Sequence, residues 1–207
     1  MNKPSKKHWI TFFIITLFNI TSIITVFKIG SCIVFLNILL CVFLIHNYLQ
    51  EPFQEYGLHF KKIHIQVISG IVLEFIILFL LYSNSVSIKL LPFLMRSFLK
   101  QFPSYLGALF YFFNTLLYAV SEEIVFRGFL LSFFQKLFKN SLMSIFLSAL
   151  LFGLIHYPLG QNLHQIIYAS ISGIIYGYLR INEPDKFTLF SLSLAHSLHN
   201  IFVDLLI

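Results

Sequence analysis

The sequence predicts an all-α fold: a polytopic transmembrane helix bundle of about seven spans, within a range of six to eight. Three observations predict it. The 207 residues are 58% hydrophobic and only 11% charged, against about 25% charged in a soluble domain, and the mean hydropathy is +0.86. Apolar stretches of membrane-crossing length recur along the chain. Ionisable side chains interrupt those stretches mainly in the C-terminal half, where a charge at membrane depth is costly and marks a functional site by default.

The candidate spans run over about 9–27, 30–48, 64–86, 105–121 and onward, 141–158, 163–180 and 187–207. Residues 1–27 join a basic head to an apolar body too long for a signal-peptide core, and no small-x-small cleavage site follows, so they read as an uncleaved first helix. In 91–104, Arg96 and Lys100 share one helical face before Pro103, which reads as an interfacial amphipathic helix. Cys32 and Cys41 read as small apolar residues, not as a disulfide or metal pair.

The net charge of +6 reads as loop lysines under the positive-inside rule. No basic run with interleaved aromatics supports a nucleic-acid partner. An inside N-terminus places Lys3, Lys6, Lys7, Lys61, Lys62, Lys136, Lys139, Arg180 and Lys186 on the inner side. It leaves Lys28, Lys89, Arg96 and Lys100 outside. The imbalance favours a cytoplasmic N-terminus in a multi-pass protein of the cell membrane.

Three polar constellations stand out: Glu122-Glu123-Ile124-Val125-Phe126-Arg127-Gly128, Phe152-Gly153-Leu154-Ile155-His156 and His196-Ser197-Leu198-His199-Asn200. With a turn near Lys139-Asn140, Glu122 and His156 each lie roughly 25 Å from it along their helices. With a second turn near Glu183-Pro184 on the same side, His196 sits roughly 18 Å and Asn200 roughly 24 Å up. All four groups can meet in one layer. Adjacent Glu122 and Glu123 point about 100° apart and cannot do the same job. Glu123 and Arg127 have the spacing of an intrahelical ion pair, which leaves Glu122 without a sequence-local cation, the profile of a general base. His196 and Asn200, also i and i+4, face one cleft. A carboxylate with an imidazole can activate water, and a second imidazole with an amide can stabilise an oxyanion.

Together these residues resemble the CAAX protease and bacteriocin-processing family of intramembrane proteases, also called the Abi family. Its three motifs occur in order and complete: Glu122, Glu123, Phe126, Arg127 and Gly128; Phe152 and His156; His196 and Asn200. The resemblance covers about 105–204, and the first 90 residues match only as generic spans. It implies one integrated membrane domain, with N-terminal helices and an interfacial segment over 1–104 and a catalytic helix core over 105–207. It implies an endopeptidase that cleaves a peptide or membrane-protein substrate in the lipid bilayer. By carry-over, Glu122 and His156 activate the attacking water, His196 and Asn200 form the oxyanion site, and Glu123 and Arg127 support it. Cofactor use stays open between a metal-free mechanism and a divalent metal such as zinc, with Glu122, His156 and His196 as candidate ligands. The lack of a His-Glu-x-x-His pair leans towards metal-free.

A non-catalytic bacteriocin-immunity or scaffold protein of the same fold is the alternative, although a degenerate member should have lost one of the paired polar residues. A proton-coupled transporter finds no repeat symmetry to support it. The compact chain suggests a bacterial member acting on a secreted or membrane peptide precursor. Among the remaining polar residues, Glu74 lines the cleft, pairs with a polar group on a neighbouring helix or sits nearer the interface than the span bounds, and His199 packs or hydrogen-bonds. His164 reads as a solvated residue in or near a loop, Asp204 as a cap or pair, and Asn114 as an interhelical hydrogen-bonding group. Gly173 and Gly177 form a small-xxx-small face for packing inside the bundle.

Overall fold

The structure is a computed structural model that describes residues 3–29, 31–82, 105–157 and 163–206. The interfacial helix expected over 91–104, with Arg96, Lys100 and Pro103, lies outside the described residues. The described residues are helical, with no strand among them. They form α1 (Lys6–Ile29), α2 (Ser31–Phe43), α3 (Ile63–Tyr82), α4 (Tyr105–Glu123), α5 (Leu131–Phe138), α6 (Ser141–Ile155), α7 (Leu163–Asn182) and α8 (Leu189–Leu206). A π-helical turn over Leu44–Leu49 extends α2, and another over Ile124–Leu130 joins α4 to α5 in one continuous rod. Among the described residues, seven rods therefore follow the seven apolar stretches.

Only two of these helices, over the windows Cys32–Leu49 and Ile63–Leu80, are long and apolar enough to qualify as membrane spans among the described residues. The α4–α5 rod, α7 and α8 carry Glu122, Glu123, Arg127, Arg180, His196, His199 and Asn200, which lower their hydropathy. Helix α6 is apolar but, at 15 residues, short. Large apolar side chains nevertheless face outward along the bundle, including Phe13, Leu17, Phe79, Phe110, Leu142 and Phe146.

Local chemistry explains the turns. Lys139 adopts a left-handed conformation that ends α5. Asn140 then caps α6, its side chain accepting from the Met143 amide at 3.1 Å. Gly57, at φ 87°, closes the short 3-10 turn Phe53–Tyr56. Its missing Cβ leaves the space that the Arg180 guanidinium occupies.

One end of the bundle gathers the basic residues. His8, opening α1, lies 3.1 Å from Glu51, and Lys136 in α5 donates to both Glu51 oxygens at 2.7 Å. Tyr56 also donates to Glu51, and His59 approaches Asp185 of the α7–α8 turn at 4.0 Å. Gln66 at the start of α3 accepts from Thr188 at 3.0 Å. The segments that carry Lys3, Lys6, Lys7, Lys61, Lys62, Lys136, Lys139, Arg180 and Lys186 thus meet at this end. Helix α3 runs parallel to α8, from Gln66–Thr188 to Phe75–Phe202. Helix α4 runs antiparallel to it, from Tyr111–Asp204 to Glu123–His196. Consequently α3 leaves and α4 enters at the opposite end.

Packing relies on close approach of the helix backbones. Gly173 and Gly177 of α7 lie against Ala149 and Ile145 of α6, as their spacing predicts. A Cβ on Gly153 would come 2.7 Å from the Ile166 carbonyl oxygen, and one on Gly70 would come 2.5 Å from that of Ser191. Polar groups add interhelical links: Asn37 in α2 donates to Ser121 at 2.9 Å and to Asn19 at 3.1 Å. Two apolar clusters result. One joins Ile15, Leu44, Val125, Phe126, Phe129, Phe133 and Phe152. The other joins Leu73, Ile77, Tyr176, Leu192 and Ala195. The polar site occupies the seam between them.

Candidate active site

Glu122 and Glu123 end α4, and the π turn that follows carries Arg127. Such turns are rare and recur at functional sites. Every residue of the turn is buried. Gly128 within it lets Leu189 and the backbone of Tyr56 approach, because a Cβ there would meet the Leu189 methyl at 3.2 Å.

The pair expected from i,i+4 spacing is present: Arg127 Nη1 lies 3.3 Å from Glu123 Oε1, and both side chains are fully buried. The guanidinium also stacks over Phe152, 4.0 Å from the ring centroid, and approaches Tyr176 at 5.3 Å. Gly173 leaves room for it, since a Cβ there would lie 3.4 Å from Arg127 Nη2.

His196 occupies the centre. A carboxylate can only accept, so His196 Nδ1 donates to Glu123 Oε1 at 2.9 Å. Its Nε2 faces Glu122 Oε2 at 3.5 Å. Glu122, which has no cation near it in sequence, therefore has this ring as its partner. Both ring nitrogens of His196 thus face carboxylates.

A cavity of about 410 Å³ opens beside this cluster, lined by Phe152, His156, His164, Gln165, Tyr168, Ala169, Ser172, Tyr176, His196, His199, Asn200 and Val203. His156, His196 and Asn200, from the second and third motifs, meet there. Glu122 is not a lining residue and reaches the cavity through its contact with His196. The Phe of the second motif buttresses both imidazoles. Phe152 packs edge-on against His156, with centroids 4.7 Å apart, and against His196 at 5.6 Å. His156 Nδ1 donates to the Phe152 carbonyl at 2.8 Å. A carbonyl only accepts, so in the neutral ring the proton is on Nδ1 and Nε2 is the basic nitrogen.

Two cavity residues carry more than the sequence suggested. His164, expected to be solvated in or near a loop, is the exposed second residue of α7 and also lines the cavity. His199 also lines it, and its Nδ1 donates to Glu74 Oε1 at 3.0 Å. Glu74, from α3, is fully buried. An isolated carboxylate in an apolar stretch was the only signal in the sequence, but its partner lies 125 residues away. Asp204 is a pairing residue that accepts from Tyr111.

The donor set does not fit a metal as the side chains stand. Among the described residues no group of three His, Cys, Asp or Glu is placed to hold one. Of the candidate ligands Glu122, His156 and His196, the last turns Nδ1 to Glu123 and Nε2 to Glu122, and His156 commits Nδ1 to a carbonyl.

Fold and site together define a helical protein with a carboxylate–histidine–arginine centre buried between apolar clusters. Residues 104–202 match the family model described as type II CAAX prenyl endopeptidase Rce1-like. This segment, just under half of the chain, is similar to that family and carries all three motifs, consistent with the resemblance to the CAAX protease family. No curated protein and no solved structure matches the chain.

Proposed function

We propose that this chain is an intramembrane endopeptidase that hydrolyses a peptide bond of a membrane-associated protein or peptide precursor with an activated water. The observation that carries the reading is the meeting of His156, His196 and Asn200 on one cavity, with Glu122 in contact with His196. Glu122 and His156 Nε2 take the proton of the attacking water. Asn200, with the His196 ring beside it, stabilises the oxyanion of the tetrahedral intermediate. Glu123 and Arg127 hold the His196 ring in place. The rods span the membrane seven times, and the basic end with the N-terminus faces the cytoplasm under the positive-inside rule. Every motif group that a non-catalytic immunity or scaffold protein could dispense with is present.

Comparative peptidomics of cells carrying the wild type or Glu122→Ala tests the function. Peptide termini that appear only with the wild type are expected. Identical peptide profiles contradict the reading.

A further inference from the structure

We infer that His199, oriented by Glu74, is the general acid that protonates the leaving amine; this deepens the endopeptidase reading and rests on it. A repeated geometry is the ground. His196 and His199 stand three residues apart on α8, and each donates Nδ1–H to a fully buried carboxylate: Glu123 from α4 at 2.9 Å and Glu74 from α3 at 3.0 Å. Both imidazoles line the same cavity. The first dyad belongs to the motifs. The second does not, and Glu74 interrupts the apolar window Ile63–Leu80, where an apolar residue would be cheaper. Its Oε1 holds the imidazole, while Oε2 is buried with no hydrogen-bond partner. A buried carboxylate on Nδ1 fixes a histidine's tautomer and stabilises its imidazolium, which is the arrangement a proton-transferring imidazole needs.

Peptide hydrolysis needs two proton transfers. Water oxygen bonds to the carbonyl carbon and its proton goes to Glu122 or His156. The C–N bond then breaks, and the amine nitrogen takes a proton from His199 Nε2, leaving a neutral imidazole still donating Nδ1–H to Glu74. The proton held by the base returns to His199 through water, so one water is consumed and the enzyme is restored. His156 enters the cavity from α6 and His199 from α8, so base and acid approach from different helices. The ionisable groups around His199 are Glu74 from α3, His196 on its own helix, Tyr176, Tyr168 and His164 from α7, and His156 at the C-terminal end of α6.

The test compares leaving groups on purified full-length protein. A quenched-fluorescence peptide that the wild type cleaves is selected from a random library, and its thioester analogue at the scissile bond is synthesised. A thiolate leaves without protonation and an amine does not. His199→Asn keeps a donor towards Glu74 but cannot relay a proton. It is expected to lower the ratio of amide to thioester turnover by about 10²–10⁴-fold. Glu74→Gln, acting through His199, is expected to lower the same ratio by less, in kcat and not in KM. An unchanged ratio in His199→Asn overturns the assignment, including when both rates fall together through misfolding. If the wild type cleaves no peptide of the library, the endopeptidase reading fails, and this assignment with it.

Discussion

His196 donates through Nδ1 to the fully buried carboxylate of Glu123, 2.9 Å away. Glu123 therefore serves two partners with one oxygen, since Arg127 also approaches Oε1, at 3.3 Å. That shared atom links the first motif to the third and makes the centre sensitive to any loss among its members.

Arg127→Ala is expected to destabilise the fold as well as lower activity, because it leaves the Glu123 carboxylate buried without its cation. Removing one partner of a buried pair costs roughly 3–5 kcal/mol. Thermal melting in detergent reads the loss. Glu123→Gln in the Arg127→Ala background should restore part of it. A wild-type melt for Arg127→Ala contradicts the argument.

Gly153→Ala should destabilise the α6–α7 contact. The added Cβ would press on Ser170 Oγ and come 2.7 Å from the Ile166 carbonyl oxygen. Ser170 can turn away but the carbonyl cannot, so Ser170→Ala should not rescue the variant. Forcing extra volume into a packed contact costs about 1–3 kcal/mol, read as a lower melting temperature. An unchanged melting temperature contradicts the tight contact.

The knot at the basic end predicts how stability depends on pH. Burial lowers the His8 pKa below its ordinary 6.5. Burial raises Glu51, but hydrogen bonds from Lys136 and Tyr56 outweigh it and hold the carboxyl below its ordinary 4.5. In both cases the unfolded chain binds protons more readily, so the stabilisation is present at neutral pH and lost as pH falls. Melting temperature should decline below about pH 6.5 as the His8 contribution goes, and again below about pH 4.5 as the Glu51 contribution goes. His8→Gln should flatten the first limb and Glu51→Gln the second. A melting temperature that rises on acidification contradicts the linkage.

Elemental analysis of active purified protein tests the metal-free reading, for which the geometry of the donors is the ground. Activity without stoichiometric zinc is expected. Zinc that is lost in His196→Ala but kept in Asn200→Ala contradicts it.

The helices were legible because about twenty apolar residues in a row leave a chain in a membrane few alternatives. The Glu123–Arg127 pair was legible because i,i+4 contacts are set within one helix. Three features were not. The π turn over Ile124–Leu130 has no spacing signature of its own. The seat of His196 between Glu122 and Glu123 depends on the relative phase of two helices 73 residues apart. Glu74 and His199 were each visible as polar groups in apolar surroundings, but their pairing is a tertiary fact. The seven apolar stretches did become seven rods.

The central claim is that Glu122 activates water in a folded membrane protease. The most direct measurement is peptide cleavage by purified Glu122→Gln beside the wild type, with melting temperature recorded for both. The account predicts cleavage abolished and melting unchanged, since Gln keeps the shape of Glu122 and lacks only its basicity. Near wild-type cleavage by a normally folded Glu122→Gln protein would contradict it.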